Sequence, residues 1–182
     1  MTRFVAYISM SLDGRIADAD GGTSWLADHG GGEEGDRGYA AFHGAADAVV
    51  MGRRTHDGLR EAGPWPWRGV PAYVITSRML DPKREMILPV LPDFPGLGRQ
   101  LRRQDYGTVW VVGGGQTLGA ALQAGMLDEL RLFVLPVVLG AGVPLFSMEG
   151  LPRPAVLSGH RLWPGGVVEL LHSFDAGPQA KP

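Results

Sequence analysis

Short runs of apolar, β-favouring residues recur along this chain, at 4–9 (FVAYIS), 48–51 (AVVM), 72–76 (AYVIT) and 108–112 (TVWVV). Such runs, bounded by glycine and polar stretches, predict core strands. Between them, 38–46, 54–62, 97–104 and 117–124 have helix-compatible composition, with Gly63-Pro64 and Gly125 as stop signals. Strand and helix therefore alternate, and alternation predicts a largely parallel sheet covered by helices on both faces.

The last third changes character. Segments 127–138, 155–163 and 167–174 read as strands, and Pro164-Gly165-Gly166 joins the last two as a hairpin. The expected architecture is α/β: a three-layer α/β/α sandwich whose mostly parallel central sheet ends in a C-terminal antiparallel hairpin. It forms one domain over 1–174, with 175–182 as a frayed tail and the glycine-rich 30–35 as a mobile loop.

A chain of 182 residues is long enough to bury a core without metals or disulfides. Hydrophobic content of 45% and charged content of 20% suit a globular protein rather than a disordered or membrane one. The formal net charge of -2 argues against a general nucleic-acid binder, since no cation excess is available to neutralise phosphates. With no cysteine, disulfides and thiolate chemistry are excluded. The apolar stretch 4–8 is too short for a signal or a membrane span, which predicts a cytoplasmic protein that does not engage membranes.

Three glycine- or hydroxyl-rich turns follow predicted strands. Gly52-Arg53-Arg54-Thr55 opens a helix directly after Met51. A helix N-terminus there offers free N–H groups and a positive dipole end to an anion, although an ordinary turn with surface arginines has the same sequence. Gly113-Gly114-Gly115, before Gln116 and Thr117, permits backbone conformations and close approaches that a Cβ would block; it also suits a turn that only packs a helix on a sheet. Thr76-Ser77-Arg78 is either a simple turn or a set of donors for a phosphate dianion. Asp13-Gly14 reads as a turn between extended segments. Asp36, ahead of the helical stretch that holds Tyr39 and Phe42, reads as a solvated helix N-cap. The five histidines form no close ligand pair, so no metal is expected.

Together, 9–17 (SMSLDGRIA), Met51-Gly52-Arg53-Arg54-Thr55, 112–118 (VGGGQTL) and 136–146 (PVVLGAGVPLF), in that order, resemble the dihydrofolate reductase superfamily. The similarity is greatest to the branch holding the reductase half of the riboflavin-biosynthesis deaminase-reductase and its stand-alone relatives. The resemblance implies a dihydrofolate reductase-like fold and an NADPH-dependent reductase of a small heterocyclic or sugar-linked substrate. It maps the cofactor onto Gly52, Arg53 and Thr55, onto Thr76, Ser77 and Arg78 for the 2′-phosphate, and onto Gly113 to Thr117, with a cis Gly113–Gly114 bond. Main-chain groups near Ala6, Ile16 and Ala17 would hold the carboxamide. Asp36 and Asp13 become catalytic candidates; with Trp25, a wall of the nicotinamide pocket or a core residue, they are also the substrate contacts. Further substrate contacts are expected from 30–35 and from the Pro- and Trp-rich 64–67. The segment 136–146 would support a turn and a subunit contact, hence a homodimer.

The chain departs from the riboflavin enzymes in having no acidic residue just before the glycine turn, where Val112 and Gly113 stand, and in carrying Gly-Arg-x-Thr at Gly52. It resembles the stand-alone relatives better than the bifunctional enzyme. Pterin reduction and a non-catalytic NADP-binding module remain as alternatives.

Overall fold

The apolar runs pair into one eight-stranded sheet. The computed structural model describes residues 1–29, 36–80, 86–147, 150 and 152–174, so the loop 30–35 and the tail 175–182 lie outside the described residues. In chain order the elements are β1 (Arg3–Met10), β2 (Arg15–Ala17), a 3-10 helix (Ser24–His29), α1 (Tyr39–Gly44), β3 (Ala48–Gly52), α2 (Arg53–Ala62), β4 (Ala72–Ile75) and β5 (Ile87–Val90). There follow α3 (Phe94–Arg103), β6 (Thr108–Gly113), α4 (Gly115–Gln123), β7 (Glu129–Val134), β8 (Val143–Pro144), β9 (Val156–Trp163) and β10 (Val167–Ser173). The sheet order is β5-β4-β3-β6-β1-β7-β10-β9. The first six strands are mutually parallel, and β10 and β9 add antiparallel. The mostly parallel sheet finished by an antiparallel hairpin is the architecture the sequence pattern predicts.

Side-chain alternation along the strands divides the core. Phe4, Ala6, Val50, Val109 and Val111 face Leu97 and Leu101 of α3 and Leu118, Ala121 and Leu122 of α4. Val49, Met51, Val74 and Trp110 face the other way, toward Trp67 and toward Phe42 and Leu59 of α1 and α2. Trp67 is 3% exposed, with its ring centroid 5.2 Å from that of Trp110. The loop 64–67, expected to supply substrate contacts, thus plugs the core with its large indole.

Several boundaries differ from the expectation. Helix α3 starts at Phe94, where the Asp93 carboxylate accepts the Gly96 N–H at 2.9 Å and caps the first turn. Strand β5 carries Pro89 and is absent from the sequence reading; it lies at the sheet edge, where a missing N–H is tolerated. Strand β7 ends at Val134, before Pro136.

Beyond β7, the chain does not continue as strand. Val143–Pro144 pairs with Arg15–Ala17, and the Ser147 N–H donates to the Gly115 carbonyl at 3.1 Å. Segment 136–146, expected to support a turn and a subunit contact, lies against the start of α4 within the chain.

Candidate nucleotide and substrate cleft

Parallel strands bring their carboxyl ends to one edge, so Met10, Gly52, Ile75 and Gly113 end β1, β3, β4 and β6 on the same side of the sheet. The pairing of β1 with β6 stops at Val5 and Trp110, while β1 runs on beside β7 to Met10 and Val134. Strands β1 and β6 part there, at the edge where open α/β sheets bind ligands. The resulting cleft has a volume of about 1870 Å³ and extends from α2 and the start of α4 to the start of α1.

At one end, two helices begin without a side-chain cap: α2 after Gly52 and α4 after Gly114. The first N–H groups of a helix without a side-chain cap are open to an external acceptor. The glycines there are sterically required. A Cβ on Gly52 would stand 2.8 Å from the Thr117 hydroxyl, and one on Gly115 would overlap the Pro144 carbonyl oxygen. The Gly113–Gly114 peptide bond is cis, as the resemblance implies. A Cβ on Gly114 would meet Thr55 Oγ1 at 3.7 Å and Ile16 Cδ1 at 3.9 Å, so these residues flank the turn.

Three arginines line this end, in different states. Arg53 donates from Nε to Asp57 at 2.6 Å and from a terminal nitrogen to the Met79 carbonyl at 3.3 Å. The Asp57 carboxyl is held below its ordinary value: burial opposes this, but hydrogen bonds from His56 and Arg53 and the Arg53 charge prevail. Arg54 and Arg78 are exposed and make no side-chain hydrogen bond or ion pair with the described residues. Arg54 is absent from the residues expected from the sequence; its adjacency to Arg53 was the available signal. The Thr76 hydroxyl accepts the Arg78 N–H at 3.0 Å and fixes that turn, while Ser77 is exposed on the cleft. Gln116 and Thr117 also line it, together with Ile16 and Ala17.

The other end is aromatic. Tyr7, Tyr39, Trp110 and Phe133 line it, none of them singled out in the sequence; alternation along β1 was the signal for Tyr7. The Tyr7 ring centroid lies 4.9 Å from Phe42 and 4.6 Å from Phe133, and its hydroxyl donates to the Arg37 carbonyl at 3.1 Å. Burial pushes the Tyr7 phenol well above its ordinary value; Glu169 and Asp36 add to this, against the opposing charges of Arg131 and Arg37. Tyr7 is therefore a neutral donor across the working pH range. Behind it, Glu169, 3% exposed, accepts from Arg131 at 2.6 Å and from the Trp163 indole at 2.9 Å. The Arg131 guanidinium lies 5.3 Å from the Tyr7 ring centroid, a cation–π contact that steadies the ring.

Asp36 stands at the mouth of this end and also starts α1: its carboxylate accepts the Ala40 N–H at 3.0 Å, and its carbonyl accepts the Tyr39 N–H at 2.7 Å. Asp36 thus bonds the first turn of α1, whose N-cap position is Gly38, and lines the cleft.

Of the expected residues, Asp13, Trp25, Ala6 and Gly113 are not among those that line the cleft. The Asp13 carboxylate accepts the Ser11 hydroxyl at 2.6 Å, the Leu139 N–H at 3.0 Å and the Gly140 N–H at 2.9 Å. Those bonds, that from Ser11 first, lower its pKa to about 2. Asp13 clamps the loop after β7, away from the residues that line the cleft. Trp25 packs with Phe133, Leu135 and Val167, while Thr23 and Leu26 line the cleft in its place. The Ala6 side chain is fully buried, and a Cβ on Gly113 would meet Leu118 and Ile8.

The RibD C-terminal domain family matches residues 4–168. The chain belongs to this family. Its relatives include the uncharacterised protein YwjB of Bacillus subtilis, 33% identical over 143 residues that make up 78% of this chain and 81% of YwjB. A shorter match, 38% identical over 64 residues, covers 35% of this chain and 17% of the riboflavin biosynthesis protein RibD of Escherichia coli. Among solved structures, a Shewanella sp. PV-4 protein described as a riboflavin biosynthesis protein superposes with a TM-score of 0.86 at 24% identity, over 95% of this chain and 99% of that one. The Thermotoga maritima diaminohydroxyphosphoribosylaminopyrimidine deaminase/5-amino-6-(5-phosphoribosylamino)uracil reductase gives 0.69 at 16% identity, over 95% of this chain and 56% of that one. At these identities, the structural likeness establishes the shared RibD-type, dihydrofolate reductase-like fold.

Proposed function

We propose that the protein is an NADPH-dependent reductase of the riboflavin-biosynthesis reductase type, acting on a small heterocyclic or sugar-linked molecule. The observation that carries this reading is the convergence of two uncapped helix N-termini, with glycines that admit no Cβ, on one end of a cleft whose other end is aromatic. The first end fits a dinucleotide pyrophosphate, which needs N–H donors and close backbone approach. Gly52, Thr55 and Gly114 to Thr117 would hold the pyrophosphate, with Arg53 oriented by Asp57. Arg54 and Arg78, exposed and unpaired among the described residues, would meet a further phosphate, which favours NADPH over NADH. Ile16 and Ala17, beside Gly114, flank the nicotinamide position.

NADPH supplies the hydride. The protein contributes orientation and exclusion of water: the aromatic wall provides a dry surface, and Asp36 is, among the described residues, the cleft carboxylate at the start of α1 that would accept or hold a proton from a bound ring. A homodimer is part of the proposal. It is supported by the exposed apolar positions on the edge strand β9, Val156, Leu157 and Leu162, beside an apolar recess of about 470 Å³ against β7 and β10.

The test is NADPH oxidation, followed by absorbance, with small pyrimidines and pterins as acceptors. Acceptor-dependent oxidation is expected and should fall in Asp36→Asn. Tight NADPH binding without turnover on any acceptor would favour a non-catalytic nucleotide-binding module.

A further inference from the structure

Helix α2 opens with two cations where its dipole favours an anion: Arg53 and Arg54 stand at its first two positions, and no acidic residue lies in the first turn. Arg53 is held in one direction all the same. Its Nε donates to one oxygen of Asp57, a helical turn further on, at 2.6 Å. A terminal nitrogen donates at 3.3 Å to the carbonyl of Met79, the residue after Arg78. The guanidinium has further N–H groups beyond these two, and Arg53 lines the cleft.

The other Asp57 oxygen lies 2.8 Å from Nδ1 of His56. The Asp57 carboxyl is held below its ordinary value and so stands ionised as an acceptor, which puts the imidazole proton on Nδ1. Of the pair, His56 is the fixed member. Its side chain is 3% exposed and lies against the Trp65 ring, 5.7 Å between centroids, while that of Asp57 is 41% exposed.

As a core filler, this imidazole is unfavourable. Its Nε2 is buried with no hydrogen-bond partner among the described residues, and an apolar side chain would occupy the space without an unpaired polar atom. What the imidazole adds is the Nδ1 donor. A carboxylate on a helix surface samples several rotamers, and a rigid buried donor selects the one that meets Arg53.

We propose that His56 is a positioning residue for the cofactor: from the protein interior it fixes the Asp57 carboxylate, and through it the Arg53 guanidinium, in the orientation that receives the pyrophosphate. His56 itself does not line the cleft. This inference rests on the reading of the α2/α4 end as a nucleotide site and adds to it a residue that touches no ligand.

The test is calorimetric titration of the full chain with NADPH, carried through a double-mutant cycle. His56→Leu should weaken NADPH about five-fold in the otherwise unaltered protein and less than about two-fold in an Arg53→Ala background, where the pair has no guanidinium left to aim. His56→Asn places an amide N–H near the position of Nδ1 and should stay within about two-fold of the unaltered affinity. His56→Gln, whose amide reaches toward the Nε2 position, should show the loss; this pair of amides carries the test if His56→Leu does not fold. Equal losses with and without Arg53, or full affinity in both His56→Leu and His56→Gln, would overturn the inference while leaving the nucleotide site in place. Failure of the unaltered protein to bind NADPH would overturn the site and the inference with it.

Discussion

Gly52, the last residue of β3, faces Thr117 of α4 so closely that a methyl group on its Cα would stand 2.8 Å from the threonine hydroxyl. The two helix N-termini at the anion end are locked together at this point. Thr117 is 6% exposed and β-branched, so its side chain has little freedom to retreat.

Gly52→Ala should therefore destabilise the protein by about 1–3 kcal/mol through overpacking, and should weaken NADPH binding by moving the start of α2. The internal control is Gly58 in the same helix, where a Cβ meets nothing within 4 Å. Gly58→Ala should stabilise by roughly 0.5–1 kcal/mol through helix propensity. Denaturant melts of the two variants should move in opposite directions; equal shifts would show that the Gly52–Thr117 contact is slack.

Arg78→Ala and Arg54→Ala each remove a guanidinium that makes no hydrogen bond or ion pair with the described residues, so the loss should fall on the ligand. A charged hydrogen bond contributes about 1.5–3 kcal/mol, roughly ten- to hundred-fold in affinity. Arg78→Ala is expected to weaken NADPH by that amount and NADH hardly at all. Equal weakening of both nucleotides would place Arg78 away from the 2′-phosphate.

Much of this layout is legible in the chain itself. Gly52-Arg53-Arg54-Thr55 and Gly113-Gly114-Gly115 each follow an apolar strand, which places both turns in the chain; the resemblance, not local chemistry alone, singles them out as anion-site candidates. Asp13 and Trp25 lie where pairwise contacts between distant segments decide the outcome. Asp13 is claimed by the N–H groups of Leu139 and Gly140, and Trp25 by Phe133 and Val167, partners more than a hundred residues away in sequence. Trp67 is similar: its Pro-rich surroundings read as a loop, yet the cavity beside Trp110 draws the indole inward. The aromatic end escapes notice because Tyr7, Tyr39, Trp110 and Phe133 come from four elements and no local motif unites them.

Asp13 predicts a pH signature. Its pKa is lowered from 3.8 to about 2, so its contribution to stability is fully present above pH ~4 and is lost as pH falls toward 2. Asp13→Asn should flatten the acid limb of the stability curve across that window, with little change in NADPH affinity at neutral pH. An unchanged acid limb would mean that the clamp does not persist in solution.

Glu169→Ala leaves Arg131 without its partner beneath Tyr7. Removing one member of a buried ion pair costs about 3–5 kcal/mol; the partial exposure of Arg131, 26%, puts the expected loss at the lower end. Chemical denaturation should show this, and a loss well below 1 kcal/mol would mean that solvent replaces Glu169 freely.

The most direct measurement is a calorimetric titration of the intact protein with NADPH and, separately, NADH. The expected result is one site per chain, with a micromolar NADPH dissociation constant, about 8 kcal/mol, and clearly weaker NADH binding that Arg78→Ala brings level with NADPH. Failure of both nucleotides to bind would contradict the assignment of the α2/α4 end as a cofactor site and leave its glycines a purely structural role.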